Sequence, residues 1–230
     1  MTSPPPGKTT DGKLRAVLFD MDGLLVDSEP LWFEAERSVM SRLGGPWSAA
    51  DQRELIGGSL AHTVGYMRSR AQRPVPPGQI ASWLLGTMTE LVTAAPVPLM
   101  PGAAELLASL DAAGIPRGLV TSAQRQIMTA VLASTGLAFA ITVCGEDVHA
   151  VKPGPEPYRR AAALLGEAPG QCVALEDSPN GVASALAAGC PVIAIPSLHP
   201  ITERPGCLVA GSLAEVTLPL LRQHAAAAGG

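Results

Sequence analysis

The spacing of apolar residues changes along the chain, and each change marks an element. Residues 17–19 (Val-Leu-Phe) form a short apolar run of β-forming residues, followed at once by Asp20 and Asp22 and broken at Gly23. That run predicts a buried strand with an acidic pair at its end. Carboxylates are seldom buried unless paired or bound to a metal, so the pair asks for a cation or a functional reason, with a capped strand end as the plain alternative. Pro30 suits the first turn of a helix, and Leu31, Ala35, Val39 and Leu43 recur at helical spacing until Gly44 and Gly45. From there to about Pro98 come helical fragments over 50–55, 61–71 and 79–94, separated by Gly/Pro-rich breaks and without a convincing strand.

After Pro101 the rhythm becomes an alternation of helix and strand. Helices are predicted over 102–113, 123–135, 155–165 and 179–189, and strands over 117–121, 141–144, 171–175 and 191–195; a weaker strand at 207–209 and a helix over 213–223 follow. Strands and helices alternating at this length imply βαβ units and a parallel sheet covered on both faces. The expected fold class is therefore α/β, a doubly wound, Rossmann-like parallel sheet built from residues 14–29 and 99–224. An all-helical domain is inserted at 30–98, with residues 24–29 as the link into it. Residues 1–13, rich in Pro, Ser, Thr and Gly, read as a disordered tail and 225–230 as a flexible one.

Ligands of such sheets bind beyond the carboxyl ends of the strands. Asp20 and Asp22 follow the first strand, Thr121 and Ser122 the second, Lys152 the third, and Glu176 and Asp177 the fourth. Folding would gather these separated segments onto one rim.

Composition narrows the partners. Sixteen basic against 20 acidic residues give a formal charge of −4 with no Lys/Arg block, so neither nucleic acid nor an anionic membrane is an expected partner. No apolar run approaches the roughly 18 residues needed to cross a bilayer, and the first residues lack the apolar segment of a signal peptide. Cys144, Cys172, Cys190 and Cys207 are too far apart for a metal knuckle and read as small core residues in a reducing cytoplasm. The expectation is a soluble, cytoplasmic monomer acting on a small molecule.

A rim of four carboxylates, a lysine and a hydroxyl pair has the parts for phosphoryl transfer. Clustered carboxylate oxygens suit Mg²⁺, which prefers a few carboxylates, water and a substrate phosphate. Lys152 and the cation would neutralise phosphoryl charge, and Thr121 would donate a hydrogen bond. One aspartate could attack phosphorus and a second could protonate the leaving oxygen and then activate water. Each group also has an ordinary reading: Thr121 and Ser122 as a helix cap, Lys152 as a surface charge, Glu176 and Asp177 as a cap for the next helix. His62, His149, His199 and His224 show no ligand spacing.

The ordered set Asp20-Met-Asp-Gly-Leu-Leu-Val-Asp-Ser-Glu, Thr121-Ser, Lys152-Pro and Glu176-Asp-Ser-Pro-Asn-Gly resembles the four motifs of the haloacid dehalogenase (HAD) superfamily of phosphohydrolases. The helical insert resembles the C1-type cap of the branch holding β-phosphoglucomutase and sugar-phosphate phosphatases such as 2-deoxyglucose-6-phosphatase. The resemblance implies a Mg²⁺-dependent phosphatase acting on a small phosphorylated metabolite, a sugar or polyol phosphate, through an aspartyl-phosphate. In it Asp20 is the nucleophile and Asp22 the general acid/base, while Thr121 and Lys152 hold the phosphoryl group with Ser122 and the amides of Met21 and Asp22, aimed by the turn at Gly23. The implied metal ligands are Asp20, Asp22 through its backbone carbonyl, Asp177, and Glu176 directly or through water.

Trp32 stands where the mutase has a histidine and Leu60 where it has a cap-loop arginine, so hydrolysis is preferred over a phosphomutase reaction. The cap loop over 56–62, with Leu60 and His62, is expected to face the substrate, and Trp32 and Arg68 are further candidates. A phospho-regulated receiver module also pairs acids with Thr and Lys, but it has no place for the insert.

Overall fold

Strand β1 (Ala16–Phe19) occupies the middle of the sheet because both of its faces find apolar cover. Val17 and Phe19 enter one core cluster and Ala16 and Leu18 another, all four sealed from solvent. That is why the segment reads as a continuous apolar run rather than an alternation. The computed structural model describes residues 14–55 and 58–227; the tail expected at 1–13, Ile56 and Gly57 of the cap loop, and residues 228–230 lie outside the described residues.

Beside β1 lie β2 (Arg117–Val120) on one side and β4 (Cys172–Glu176) on the other, both parallel to it. Strand β3 (Ile141–Val143) pairs with β2, β5 (Val192–Ala194) with β4, and β6 (Cys207–Val209) with β5. The order is β3-β2-β1-β4-β5-β6, all parallel. The chain leaves β1 toward one edge and β4 toward the other, so the crevice of this α/β sheet opens between the carboxyl ends of those two strands.

The helical insertion precedes β2: α1 (Glu29–Leu43), α2 (Ala49–Arg53), α3 (Leu60–Arg70) and α4 (Pro77–Ala94). Ile80, Leu84, Met88 and Val92 recur every fourth residue as one buried stripe of α4, which packs on α1 and α3. The two segments joining insertion and sheet run side by side. Val26 bridges Leu99, the Asp27 N–H donates to the Pro98 carbonyl and the Met100 N–H to the Leu25 carbonyl, each of the latter at 2.9 Å.

Around the sheet, α5 (Ala103–Ala112) and α6 (Arg125–Thr135) contribute to the cluster of Val17 and Phe19, and α4 packs on α6 as well. Helices α7 (Glu156–Leu165) and α8 (Pro179–Ala188) cover the side of Ala16 and Leu18. The helix expected over 123–135 begins only at Arg125, because the Thr121 Oγ1 accepts the Ala123 N–H at 3.0 Å and holds a turn ahead of it. The helix expected over 213–223 is interrupted. Leu213–Glu215 forms a single 3₁₀ turn, and α9 (Leu218–Ala227) starts afresh with Pro219 in its first turn, where a residue lacking an N–H is tolerated. Ala225 is buried in α9, and the helix runs on to Ala227, past the boundary expected at 224.

All four cysteines are free and buried. Among the described residues, no helix is long and apolar enough to cross a membrane.

Candidate active site

Asp20 directly follows β1, Thr121 follows β2, Lys152 lies in the loop after β3, Glu176 ends β4 and Asp177 follows it. The parallel register brings them together at the crevice. Lys152 Nζ lies 2.5 Å from Asp20 Oδ1 and 2.6 Å from Glu176 Oε1, and it donates to the Val120 carbonyl at 2.8 Å. Burial alone would lower this ammonium's pKa, but Asp20 and Glu176 outweigh it and hold it above the ordinary lysine value. The lysine is a buried counter-ion, not a surface charge.

Two further groups fix Glu176. The Tyr158 hydroxyl donates to Oε1 at 2.5 Å, and the Ser178 hydroxyl to Oε2 at 3.3 Å. Lys152 Nζ also stands 5.2 Å from the centre of the Tyr158 ring. A Cβ on Gly181 would fall 1.9 Å from the Glu176 carboxylate, so only glycine leaves room for it. Gly181→Ala is expected to cost about 1–3 kcal/mol through overpacking and to lower catalytic activity. Thermal unfolding and a phosphatase assay check this, and an unchanged melting temperature would count against a rigid seat for Glu176.

Asp22 turns the other way, toward the insertion. Its Oδ1 accepts the Ser28 hydroxyl at 2.6 Å and the Trp32 indole N–H at 3.4 Å, and the Thr121 hydroxyl reaches Oδ2 at 3.5 Å. Burial pushes the Asp22 carboxyl up, and the bonds from Ser28 and Trp32 only partly oppose it. Asp20 and Asp22 therefore face different surroundings two residues apart. Gly23, at φ +78°, turns the chain directly after Asp22; a Cβ there would sit 2.3 Å from Asp177 Oδ2, which also accepts the Ser197 hydroxyl at 2.6 Å.

Oxygens of Asp20, Glu176 and Asp177 lie within 4.8 Å of one another, and all three residues are buried. Burial pushes the Asp20 carboxyl well up despite the pull of Lys152, and burial together with Glu176 takes Asp177 to about 7. One lysine does not balance this charge, and an all-oxygen set of this kind fits a hard divalent cation such as Mg²⁺. The Asp22 carboxylate is not part of the group, so any contribution from this residue falls to its backbone.

A cavity opens from Asp20, Asp22 and Lys152 toward the insertion. Of the sequence candidates, Thr121, Ser122, Trp32 and Leu60 line it. His62 does not: it is exposed on α3, its N–H bonded to the capping Ser59, while the neighbouring Thr63 faces the cavity. Arg68 also lies elsewhere, on an outer groove, and the Met21 side chain is buried in the core. Glu29, Glu36 and Gln52, which line the cavity, and Tyr158 beneath it are functional candidates to which no sequence motif assigns a role. Glu29 and Glu36 carried a signal, since with Trp32 they fall at helical spacing on one side of α1.

Burial, with Asp22 and Asp177 adding to it, takes Glu29 from 4.5 to about 8, and burial takes Glu36 from 4.5 to about 7 against the Trp47 indole bond. Both folded values exceed the unfolded one, so folding binds protons. The associated stability is complete below about pH 4.5 and is lost as pH rises through 7 and 8. Without metal, the melting temperature should fall from pH 5 to pH 8, and Glu36→Gln should flatten the part between 4.5 and 7. A pH-independent melting temperature over this range would contradict the burial of these carboxyls.

Hexitol phosphatase A of Escherichia coli (strain K12) is 35% identical over 195 residues, covering 80% of this chain and 83% of the relative. Protein CbbY of Rhodobacter capsulatus is 31% identical over 210 residues, covering 80% and 86%. The crystal structure of a CbbY mutant from Rhodobacter sphaeroides in complex with xylulose-(1,5)bisphosphate matches with a TM-score of 0.82 at 28% identity, over 90% of this chain and 99% of that one. The match to the family described as haloacid dehalogenase-like hydrolase spans residues 17–195, from β1 past β5, and takes in Asp20, Asp22, Thr121, Lys152, Glu176 and Asp177: the chain belongs to that family.

Proposed function

We propose that this protein is a Mg²⁺-dependent phosphatase that hydrolyses a small phosphomonoester, a sugar or polyol phosphate, by way of an aspartyl-phosphate on Asp20. The observation that carries the reading is the opposed placement of two aspartates around one turn. Asp20 is tied to Lys152 at the end of β1, and Asp22 is held by Ser28 on the insertion side. The phosphatase names of the relatives support the reaction class.

Lys152 holds Asp20 Oδ1, which leaves Oδ2 to attack phosphorus in line. As the bond from phosphorus to the ester oxygen breaks, Asp22 gives its proton to the departing oxygen; its raised pKa keeps that proton available. Asp22 then takes a proton from water, which attacks phosphorus, breaks the bond to Asp20 and releases inorganic phosphate. Thr121 and Ser122 bind the phosphoryl oxygens throughout, with the amides of Met21 and Asp22, while Lys152, whose three N–H donors go to Asp20, Val120 and Glu176, supplies positive charge beside them. Mg²⁺, held by Asp20 and Asp177 with the Asp22 carbonyl and Glu176 alongside, would neutralise phosphoryl charge.

Phosphate release from p-nitrophenyl phosphate and from a hexitol phosphate tests the proposal. EDTA should silence both reactions and added Mg²⁺ restore them. Mg²⁺ at 100 times its Kd should also stabilise the fold by about 2.7 kcal/mol. Turnover that survives EDTA would overturn the metal assignment, and absence of phosphate release from any phosphomonoester would overturn the function.

A further inference from the structure

Beyond the phosphoryl end, the cavity wall has an unusual charge balance. Glu29, Trp32 and Glu36 lie on one side of α1, spanning about 10 Å at a helical rise of ~1.5 Å per residue, and all three line the cavity. Gln52 Nε2 donates to the Glu29 carbonyl at 2.8 Å and to its Oε2 at 3.1 Å; the Trp47 indole N–H donates to Glu36 Oε2 at 3.2 Å. Leu55, Leu60, Leu84 and Leu85 supply apolar wall, and Thr63 and Gln124 are further uncharged lining residues. Among the described lining residues Lys152 is the one Lys or Arg, and it is already paired with both Asp20 and Glu176. Ile56 and Gly57, outside the described residues, carry no charge.

We propose that Glu29 and Glu36 set the specificity of this site by accepting hydrogen bonds from the hydroxyls of a polyhydroxylated leaving group, and by rejecting a substrate whose far end carries a second anion. The inference rests on the phosphatase reading above. An anion buried without a counter-charge loses its hydration with nothing in return. Ionised, the two glutamates repel it; protonated, they offer no positive charge in its place. A hydroxyl chain instead finds acceptor oxygens spaced along α1 and apolar cover for its carbons. The substrate class is thus a monophosphate of a neutral polyol or sugar, and bisphosphates and phosphorylated carboxylic acids are excluded.

The test compares kcat/KM of the wild-type protein with Mg²⁺ for sorbitol 6-phosphate, fructose 1,6-bisphosphate, xylulose 1,5-bisphosphate and phosphoglycolate, with p-nitrophenyl phosphate as the reference. The polyol monophosphate should lead each anionic substrate by at least about 100-fold. Glu36→Lys should shift the ratio toward the bisphosphates by at least about 10-fold; a variant that does not fold leaves the wild-type ratios to decide. Bisphosphates turned over within about threefold of sorbitol 6-phosphate, or an unshifted ratio in folded Glu36→Lys, would overturn this proposal alone if p-nitrophenyl phosphate is hydrolysed. No phosphate release from any of the five would overturn the phosphatase reading and this one with it.

Discussion

Asp20→Asn is expected to abolish phosphate release, with a loss of at least about 10⁴-fold, the scale on which removal of a nucleophile is felt in covalent hydrolases. Asparagine keeps the shape of the side chain and an acceptor oxygen for Lys152 Nζ, which now sits 2.5 Å from Asp20 Oδ1. It removes the charge and the nucleophilicity of the second oxygen. Because Asp20 is one of a crowded group of buried carboxyls, its neutralisation relieves repulsion with Glu176 and Asp177. The melting temperature of the metal-free protein should accordingly hold or rise while turnover disappears. Retained turnover would refute the nucleophile assignment, and a collapse of the fold would show that Asp20 is needed for stability more than for chemistry.

Lys152→Met should have the opposite signature, losing stability as well as activity. The change removes the cation that faces Asp20 and Glu176, both pairs being buried. Breaking such a pair from one side leaves an uncompensated charge in the interior, at a cost of about 3–5 kcal/mol. For a chain of this size that corresponds to a fall in melting temperature of roughly 6–20 °C. The deficit should shrink at low pH, where Asp20, its carboxyl already pushed up by burial, takes up a proton, and in Glu176→Gln/Lys152→Met, where one stranded carboxylate is gone. Thermal and urea unfolding at pH 5 and pH 8 measure this, and equal stability of wild type and variant at pH 8 would mean the lysine does not hold the crevice together.

The rim was legible in the sequence because its groups end or follow short apolar strands, Lys152 after a longer loop, and parallel strands deliver their carboxyl ends to one place. Asp20, Thr121, Lys152 and Asp177 meet there. Strand order was not legible, since nothing in the composition of β4 says that it pairs with β1 rather than with β3. Tyr158 escaped notice for a different reason. It lies on the buried side of α7 beside Ala161 and Ala162, where a tyrosine passes for a bulky core residue, and only its sealed hydroxyl, which needs a partner, marks it out. The loop setting of His62 predicts a place in the cavity, which the structure does not give it. Ser59 caps α3 just before it, and the phase of the helix then turns His62 outward and Thr63 inward.

The placement of β1 at the centre of the sheet also constrains how the protein comes to be made. Asp20 and Lys152, in direct contact when folded, are 132 residues apart in sequence, with the whole insertion and two strands between them. The other neighbour of β1, β4, comes later still. During synthesis the first strand must therefore wait, unpaired on one side and with its terminal carboxylate lacking a counter-ion, until most of the chain has emerged. Such non-local pairing slows folding, and it means that no N-terminal fragment ending before β4 can hold a complete site. Activity should appear late and all at once, with closure of the sheet around its oldest strand.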